Sequence, residues 1–381
     1  MRENQIINPY SIFMMLRFSY LFLMFMACVL LGSPDAVAQD STGVKYTYVN
    51  ARDLSVLGQS ATVRDSGFHR IDAAERPKLP NAVARLATNS AGISVSFQTN
   101  SKSIKLKWRL AKYNTLWNMT PAAVNGLDLY AWNGKEWQYA ATARPAKEQN
   151  DVLVLSNLDG QLRHYRVHLP LYAAAEEVHV GVEAGSTLQK ADARFLPTQK
   201  VVIYGSSITQ GASASRPGMA YPAILSRQLN LDIYNLGFSG SGKMEMALAE
   251  VLGQMDADVY VLDCVPNPSP EQIRERAVPF IKRLRELKPH TPILMVESVF
   301  RESTPWDQEK RKFDNGQNEE FRKAYEQLKQ EKYKNLYYLS AKDLPSYDHE
   351  GTIDGSHLSD LGFMRVAPFV GKKLKKILPK K

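Results

Sequence analysis

The chain has 381 residues, of which 44% are hydrophobic and 23% charged, and a formal net charge of +9. Its length exceeds one ordinary domain and implies two, each able to bury a core; its composition is that of a globular protein and excludes disordered, fibrous and polytopic membrane chains. The charge does not mark a nucleic-acid site, because six lysines lie between Lys372 and Lys381 without interleaved aromatics, as in a solvated helix and tail; attraction to an acidic polysaccharide or anionic surface stays open.

Residues 1–38 read as a leader. Arg17 precedes the apolar run Leu21 to Leu31, and Ala36-Val37-Ala38 has the small-residue spacing of a signal-peptidase site. The run is too short to span a membrane comfortably, and no later segment is a transmembrane candidate. Export to the periplasm or exterior, with cleavage near Ala38, is therefore expected. Cleavage removes Cys28, whose Phe25-Met26-Ala27 flank is a poor lipobox, and leaves Cys264 as the one cysteine, so an internal disulfide is excluded.

Residues 42–196 alternate with period two in Ile93 to Phe97, Ile104 to Trp108, Tyr165 to Leu169 and Val178 to Val182. Asn133-Gly134 and Asp159-Gly160 supply turns between such runs, which predicts an antiparallel β-sandwich. Gly126-Leu127-Asp128-Leu129-Tyr130 is similar to the Gly-x-Asp-Leu-Tyr signature of the jelly-roll-like sandwich that precedes one bacterial branch of the SGNH (GDSL) esterases. Leu127 and Leu129 should face the core, with Asp128 and Tyr130 sharing the other face as packing, turn or functional residues. His69, His164, His168 and His179 have no metal-ligand spacing; His164 and His168 share a strand face and are expected at the surface. Trp117 to Pro121, with the glycosylation pattern Asn118-Met119-Thr120, is read as a surface loop, with contact to the neighbouring domain as the alternative.

From residue 200 to 381, strands and helices alternate as in a doubly wound parallel sheet. Strands are expected at Val201–Tyr204, Ile233–Leu236, Val259–Asp263, Ile293–Val299 and Leu336–Leu339. Helices are expected at Tyr221–Leu229, Glu245–Met255, Glu271–Leu287, Glu319–Gln330 and Leu361–Leu378, the last kinked or interrupted by Pro368. Five strands with these connections predict a flavodoxin-like α/β fold.

The candidate chemistry lies just past the strand ends. Val201 to Gly211 breaks at Gly205 into Ser206-Ser207, where a serine can attack a carbonyl while its own N–H helps hold the oxyanion; taken alone it reads equally as an ordinary turn. Asn235 to Gly242 nearly fits two other patterns. Met244 stands where a P-loop needs a hydroxyl, and Ser241 where a nucleophile elbow needs glycine. Asp263-Cys264-Val265-Pro266-Asn267 follows the third strand, with Cys264 expected in the core. Asp354-Gly355-Ser356-His357 precedes the final helix, at a spacing that lets one turn present an imidazole backed by a carboxylate. The acidic and histidine residues from Asp348 to His357 also admit a metal reading, although Ile353 denies them an H-E-x-x-H motif.

These four blocks, in this order, resemble those of the SGNH hydrolases, with Ser206 in place of the family's aspartate. The resemblance implies Ser207, Asp354 and His357 as the catalytic triad, and the Ser207 and Gly240 N–H groups with the Asn267 amide as the oxyanion hole. Acyl transfer to water then needs no metal or organic cofactor. The expected function is an exported serine esterase acting on short acyl esters, acetyl above all, of a small molecule or an oligo- or polysaccharide. Hydrolysis of lipid or other acyl esters is the alternative within enzymes, and an inactive carbohydrate-binding protein the alternative outside them.

Overall fold

The computed structural model describes residues 43–344 and 348–379; the leader reading lies outside the described residues. From Tyr46 onward the chain forms one compact unit. Its first half builds ten strands: β1 (Tyr46–Asn50), β2 (Ser55–Leu57), β3 (Ser94–Thr99), β4 (Ile104–Leu110), β5 (Leu127–Trp132), β6 (Trp137–Ala143), β7 (Gln149–Leu155), β8 (Arg163–His168), β9 (Ala175–Glu183) and β10 (Leu188–Lys190). They form two antiparallel sheets, ordered β1-β9-β4-β7 and β10-β3-β8-β5-β6, with β2 also paired to β3. The period-two alternation sends Val95, Phe97, Leu106, Trp108, Leu127, Leu129 and Val180 into the core of this half. Gly134 and Gly160 take the positive φ that the two turn signals require.

Two stretches of this half are not sandwich. Between β2 and β3, helix α1 (Asn81–Leu86) carries Val83 and Leu86, with Ile71 and Leu79, into the hydrophobic core of the α/β layer. Helix α2 (Pro121–Asn125), between β4 and β5, does the same on the other face through Ala123 and Val124.

The second half is a five-stranded parallel sheet of β11 (Lys200–Gly205), β12 (Asp232–Gly237), β13 (Val259–Asp263), β14 (Ile293–Val296) and β15 (Leu336–Leu339). Its order, β12-β11-β13-β14-β15, is the flavodoxin-like arrangement. Helices α3 (Ser207–Gln210), α4 (Tyr221–Leu229), α5 (Met246–Gln254), α6 (Pro270–Leu287), α7 (Gln308–Gln330) and α8 (Asp360–Ile377) connect and cover it. Buried apolar strands explain why β11, β13 and β14 read as continuous hydrophobic runs.

Two helix expectations are corrected. Pro368 does not interrupt α8: it sits exposed on the solvent face, while Phe363, Val366, Ala367, Val370 and Leu374 hold the opposite face in the core. Helix α7 starts eleven residues before Glu319, at Gln308, capped by the Asp307 carboxylate, which accepts from the Lys310 N–H. Its early inward positions, Asp314 and Gln317, are polar because they meet Arg301 and the Pro268 carbonyl, so no apolar period announces it.

Candidate active site

Gly205 closes β11. A Cβ there would lie 1.8 Å from Thr209 Oγ1 and 2.8 Å from the Asp263 carbonyl, so the turn into α3 excludes any larger residue. Ser206 is the N-cap of α3, and its hydroxyl accepts from the Ile208 N–H at 3.2 Å. Serine and aspartate are both good N-cap residues. Ser207 opens the helix at the C-terminal edge of the sheet.

His357 arrives from the turn before α8. Its Nε2 lies 2.9 Å from Ser207 Oγ, and its Nδ1 lies 2.7 Å from Asp354 Oδ2. An Nδ1–H donated to the carboxylate leaves Nε2 free to accept the Ser207 proton. The other oxygen of Asp354 accepts the backbone N–H groups of His357 at 2.7 Å and Ser356 at 2.9 Å, so one carboxylate both folds the turn and orients the ring. Burial pushes the Asp354 carboxyl up, but those N–H groups and the imidazole outweigh it and hold it below the usual carboxylate range. The structure thus brings Ser207, His357 and Asp354 into one hydrogen-bonded chain.

The loops that carry Gly240 and Asn267 meet at the same sheet end. Phe238 donates its N–H to the Gly205 carbonyl at 3.0 Å, and Asn267 Nδ2 donates to the Phe238 carbonyl at 3.1 Å. Gly240 takes φ +66° with open space at its Cβ. The N–H groups of Ser207 and Gly240 have no acceptor among the described residues, which leaves both available to an incoming oxyanion. Lys243 and Met244 lie in a loop that ends before α5 begins at Met246, so the P-loop pattern lacks the helix start it needs. Cys264 is fully buried, and burial pushes its thiol well up, which suits a core residue.

The metal reading of Asp348 to His357 is not supported. The Asp348 carboxylate accepts from Arg365 Nη1, His349 pairs with Glu302, and Asp354 serves His357. No group of three metal-ligating side chains converges among the described residues.

Several supports were invisible in the sequence. Arg70, fully buried, donates Nη1 to the carbonyls of Asn235 at 3.0 Å and Gly237 at 2.6 Å, Nε to that of Asn89 and Nη2 to that of Leu86. It ties the α1 segment to the start of the Gly240 loop, and burial lowers its pKa to about 9. Asp128 of the Gly-x-Asp-Leu-Tyr segment is fully buried; its carboxylate accepts from Thr142 Oγ1 at 2.7 Å, and from the Gly218 N–H and Arg216 Nη1 at 2.9 Å each. The motif therefore anchors the loop that follows α3. His168 is buried rather than at the surface, because Arg227 Nη1 reaches its Nε2 at 3.1 Å across the same junction.

Behind Ser207, buried Asp263 accepts from Thr209 Oγ1 and the Tyr221 hydroxyl, both at 2.7 Å. Burial raises this carboxyl to about 6, against the opposing pull of the two hydroxyls. An acid whose folded pKa is raised contributes stability that is complete below its unfolded value, near 4, and is lost as pH rises through about 6. The full span is worth about 3 kcal/mol at 1.36 kcal/mol per pH unit. Asp263→Asn keeps an acceptor but does not titrate, so its denaturant-derived stability relative to wild type should climb between about pH 4 and 7. A difference that stays flat across that range would contradict this account.

Residues 198–375 match the GDSL-like Lipase/Acylhydrolase family, and residues 46–188 match the N-terminus of Esterase_SGNH_hydro-type. A solved GDSL-like lipase from Bacteroides ovatus is 40% identical, with a TM-score of 0.84 over 87% of this chain and 98% of its own. The salicylyl-acyltransferase of a tetracycline biosynthetic pathway is similar in fold at 19% identity, with a TM-score of 0.70 over 87% of this chain and 97% of its own. A family two carbohydrate esterase from Cellvibrio japonicus is similar at 12% identity, with a TM-score of 0.59 over 87% and 98%. No curated protein matches the chain.

Proposed function

The chain belongs to the GDSL-like lipase/acylhydrolase family and is an esterase, and from that premise we propose that it is exported and hydrolyses short acyl esters, acetyl above all, carried on carbohydrate. The observation that carries the chemistry is the hydrogen-bonded chain from Ser207 Oγ through the His357 imidazole to the Asp354 carboxylate.

In the reading proposed here, His357 Nε2 takes the Ser207 proton as Oγ bonds to the ester carbonyl carbon. The carbonyl oxygen becomes an oxyanion, met by the Ser207 and Gly240 N–H groups and by the Asn267 amide. As the intermediate collapses, the C–O bond to the alcohol breaks and the imidazolium returns the proton to that leaving oxygen. Water, deprotonated by the same imidazole, then attacks the acyl-serine, releasing the carboxylic acid and restoring Ser207. Asp354 stays ionised throughout and stabilises the imidazolium.

Small residues at the reacting end, Ser206, Ser239, Gly240, Ser241 and Gly242, favour a short acyl group. Export is supported by the leader pattern of residues 1–38; no helix among the described residues is long and apolar enough to cross a membrane. A carbohydrate substrate is supported by the sandwich-plus-α/β architecture shared with carbohydrate esterases. The test is a series of p-nitrophenyl esters of rising chain length beside acetylated oligosaccharides. kcat/KM should fall at least about tenfold from acetate to octanoate, the loss expected when a site cannot accommodate about 1.4 kcal/mol of added chain, and acetate should be released from the oligosaccharides. A preference for long chains, with no acetate release, would favour the lipid-ester alternative.

A further inference from the structure

The loop from Asn114 to Thr120 is not an ordinary surface loop. Asn118 Nδ2 donates to Ser213 Oγ at 3.0 Å, and Thr120 Oγ1 donates to the Ser215 carbonyl at 2.5 Å. Both partners belong to the segment that leaves the nucleophile helix, and Ser213 holds a left-handed φ of +73°. Ser215 in turn donates its N–H and hydroxyl to Asp360, at the start of α8, at 2.9 and 2.5 Å. The sandwich half thus reaches the elements that carry both Ser207 and His357.

This tether leaves Trp117 standing beside the catalytic turn with 82% of its surface exposed. Trp117, Met119, Ile353, Leu361 and Ser213 line an open groove of about 590 Å³. Ile353 and Leu361 are themselves 47% and 46% exposed, and the Ile353 N–H donates to the His357 carbonyl at 3.0 Å. A contiguous apolar surface of this kind marks a binding groove more often than an accident of folding. Asn118 donates to the Ser213 hydroxyl, Thr120 to the Ser215 carbonyl and Ser215 to Asp360, so the apolar surface of the groove is carried by the indole of Trp117 with Met119, Ile353 and Leu361.

Which part of an ester lies there follows from the chemistry. The imidazole must return its proton to the leaving alcohol, so the alcohol lies on the His357 side, while the carbonyl oxygen points away toward Gly240 and Asn267. We propose that this groove is the subsite for the sugar portion of the substrate, with the C–H face of a pyranose ring stacked on Trp117. The axial C–H groups of such a ring carry partial positive charge, and the indole face presents the negative lobe of its quadrupole. The proposal rests on the esterase reading above and adds that the β-sandwich half supplies a wall of the catalytic cleft.

The test compares wild type, Trp117→Ala and Trp117→Phe on p-nitrophenyl acetate, p-nitrophenyl octanoate and an acetylated xylo-oligosaccharide. Trp117→Ala should raise KM for the oligosaccharide about tenfold, the equivalent of one good stacking contact, with kcat within about twofold. Trp117→Phe should recover most of the loss. Because Trp117 is so exposed, the variant is expected to fold, and an unchanged circular dichroism spectrum verifies it. A loss confined to octanoate would assign the groove to an acyl chain and overturn the proposal. Equal oligosaccharide KM in all three proteins, or a wild type that cleaves p-nitrophenyl acetate but no acetylated sugar, would overturn it as well. A wild type inactive on p-nitrophenyl acetate would overturn the esterase reading and this subsite with it.

Discussion

Ser207→Ala is expected to reduce kcat/KM for p-nitrophenyl acetate by about 10⁴- to 10⁶-fold, the range seen when a nucleophile is removed from a Ser-His-Asp set. Alanine cannot form the acyl bond, and the imidazole loses the proton it is placed to accept at 2.9 Å. The fold should survive. Ser207 sits on a short helix whose cap is the Ser206 hydroxyl, so the substitution removes one hydrogen bond to a partly exposed imidazole and leaves the core intact. Loss of one such bond costs about 1 kcal/mol, measurable as a small shift in denaturant midpoint. Activity retained in a folded variant would move the nucleophile to Ser239 or Ser241 on the neighbouring loop.

Asp354→Asn should lower kcat by about 10³- to 10⁴-fold while changing KM little. The carboxamide introduced at this position can still accept the His357 and Ser356 backbone N–H groups through its oxygen. Its NH₂ then faces Nδ1, which favours the tautomer protonated at Nε2, and that nitrogen can no longer accept the Ser207 proton. The wild-type carboxylate is held below the usual carboxylate range, so it stays ionised at neutral pH and supports the imidazolium formed during the reaction. The comparison is a pH profile of the two proteins with circular dichroism as the check on folding. If the mutant keeps both rate and profile, Asp354 is not the orienting carboxylate, and His357 acts with Ser207 as a dyad.

Much of this architecture was legible from residue patterns because the governing physics is local. Period-two alternation in β3, β4, β8 and β9, and the apolar runs of β11 and β13, follow from which faces are buried. The candidate site was legible because Gly205-Ser206-Ser207 and Asp354-Gly355-Ser356-His357 each place their chemistry within a single turn. The rest depends on contacts between distant segments. Arg70 meets carbonyls more than 160 positions away, at Asn235 and Gly237, and a lone arginine gives no hint of such partners. The burial of His168 was missed for the same reason, since its partner Arg227 lies in the other half of the chain; the Trp117 loop is at the surface and also reaches that half through Ser213. Helix α7 was cut short because its buried face is polar where it meets Arg301 and Pro268. A hydrophobic period cannot report a face that packs through hydrogen bonds.

The central claim is that hydrolysis proceeds through a covalent acyl-serine at residue 207. Incubating the folded protein with a fluorophosphonate, which traps nucleophilic serines, and mapping the adduct by peptide mass spectrometry tests it most directly. One adduct per chain is expected, on Ser207, forming in step with loss of esterase activity and absent from Ser207→Ala. An adduct on Ser239 or Ser241, or full esterase activity in protein whose Ser207 is fully modified, would contradict it.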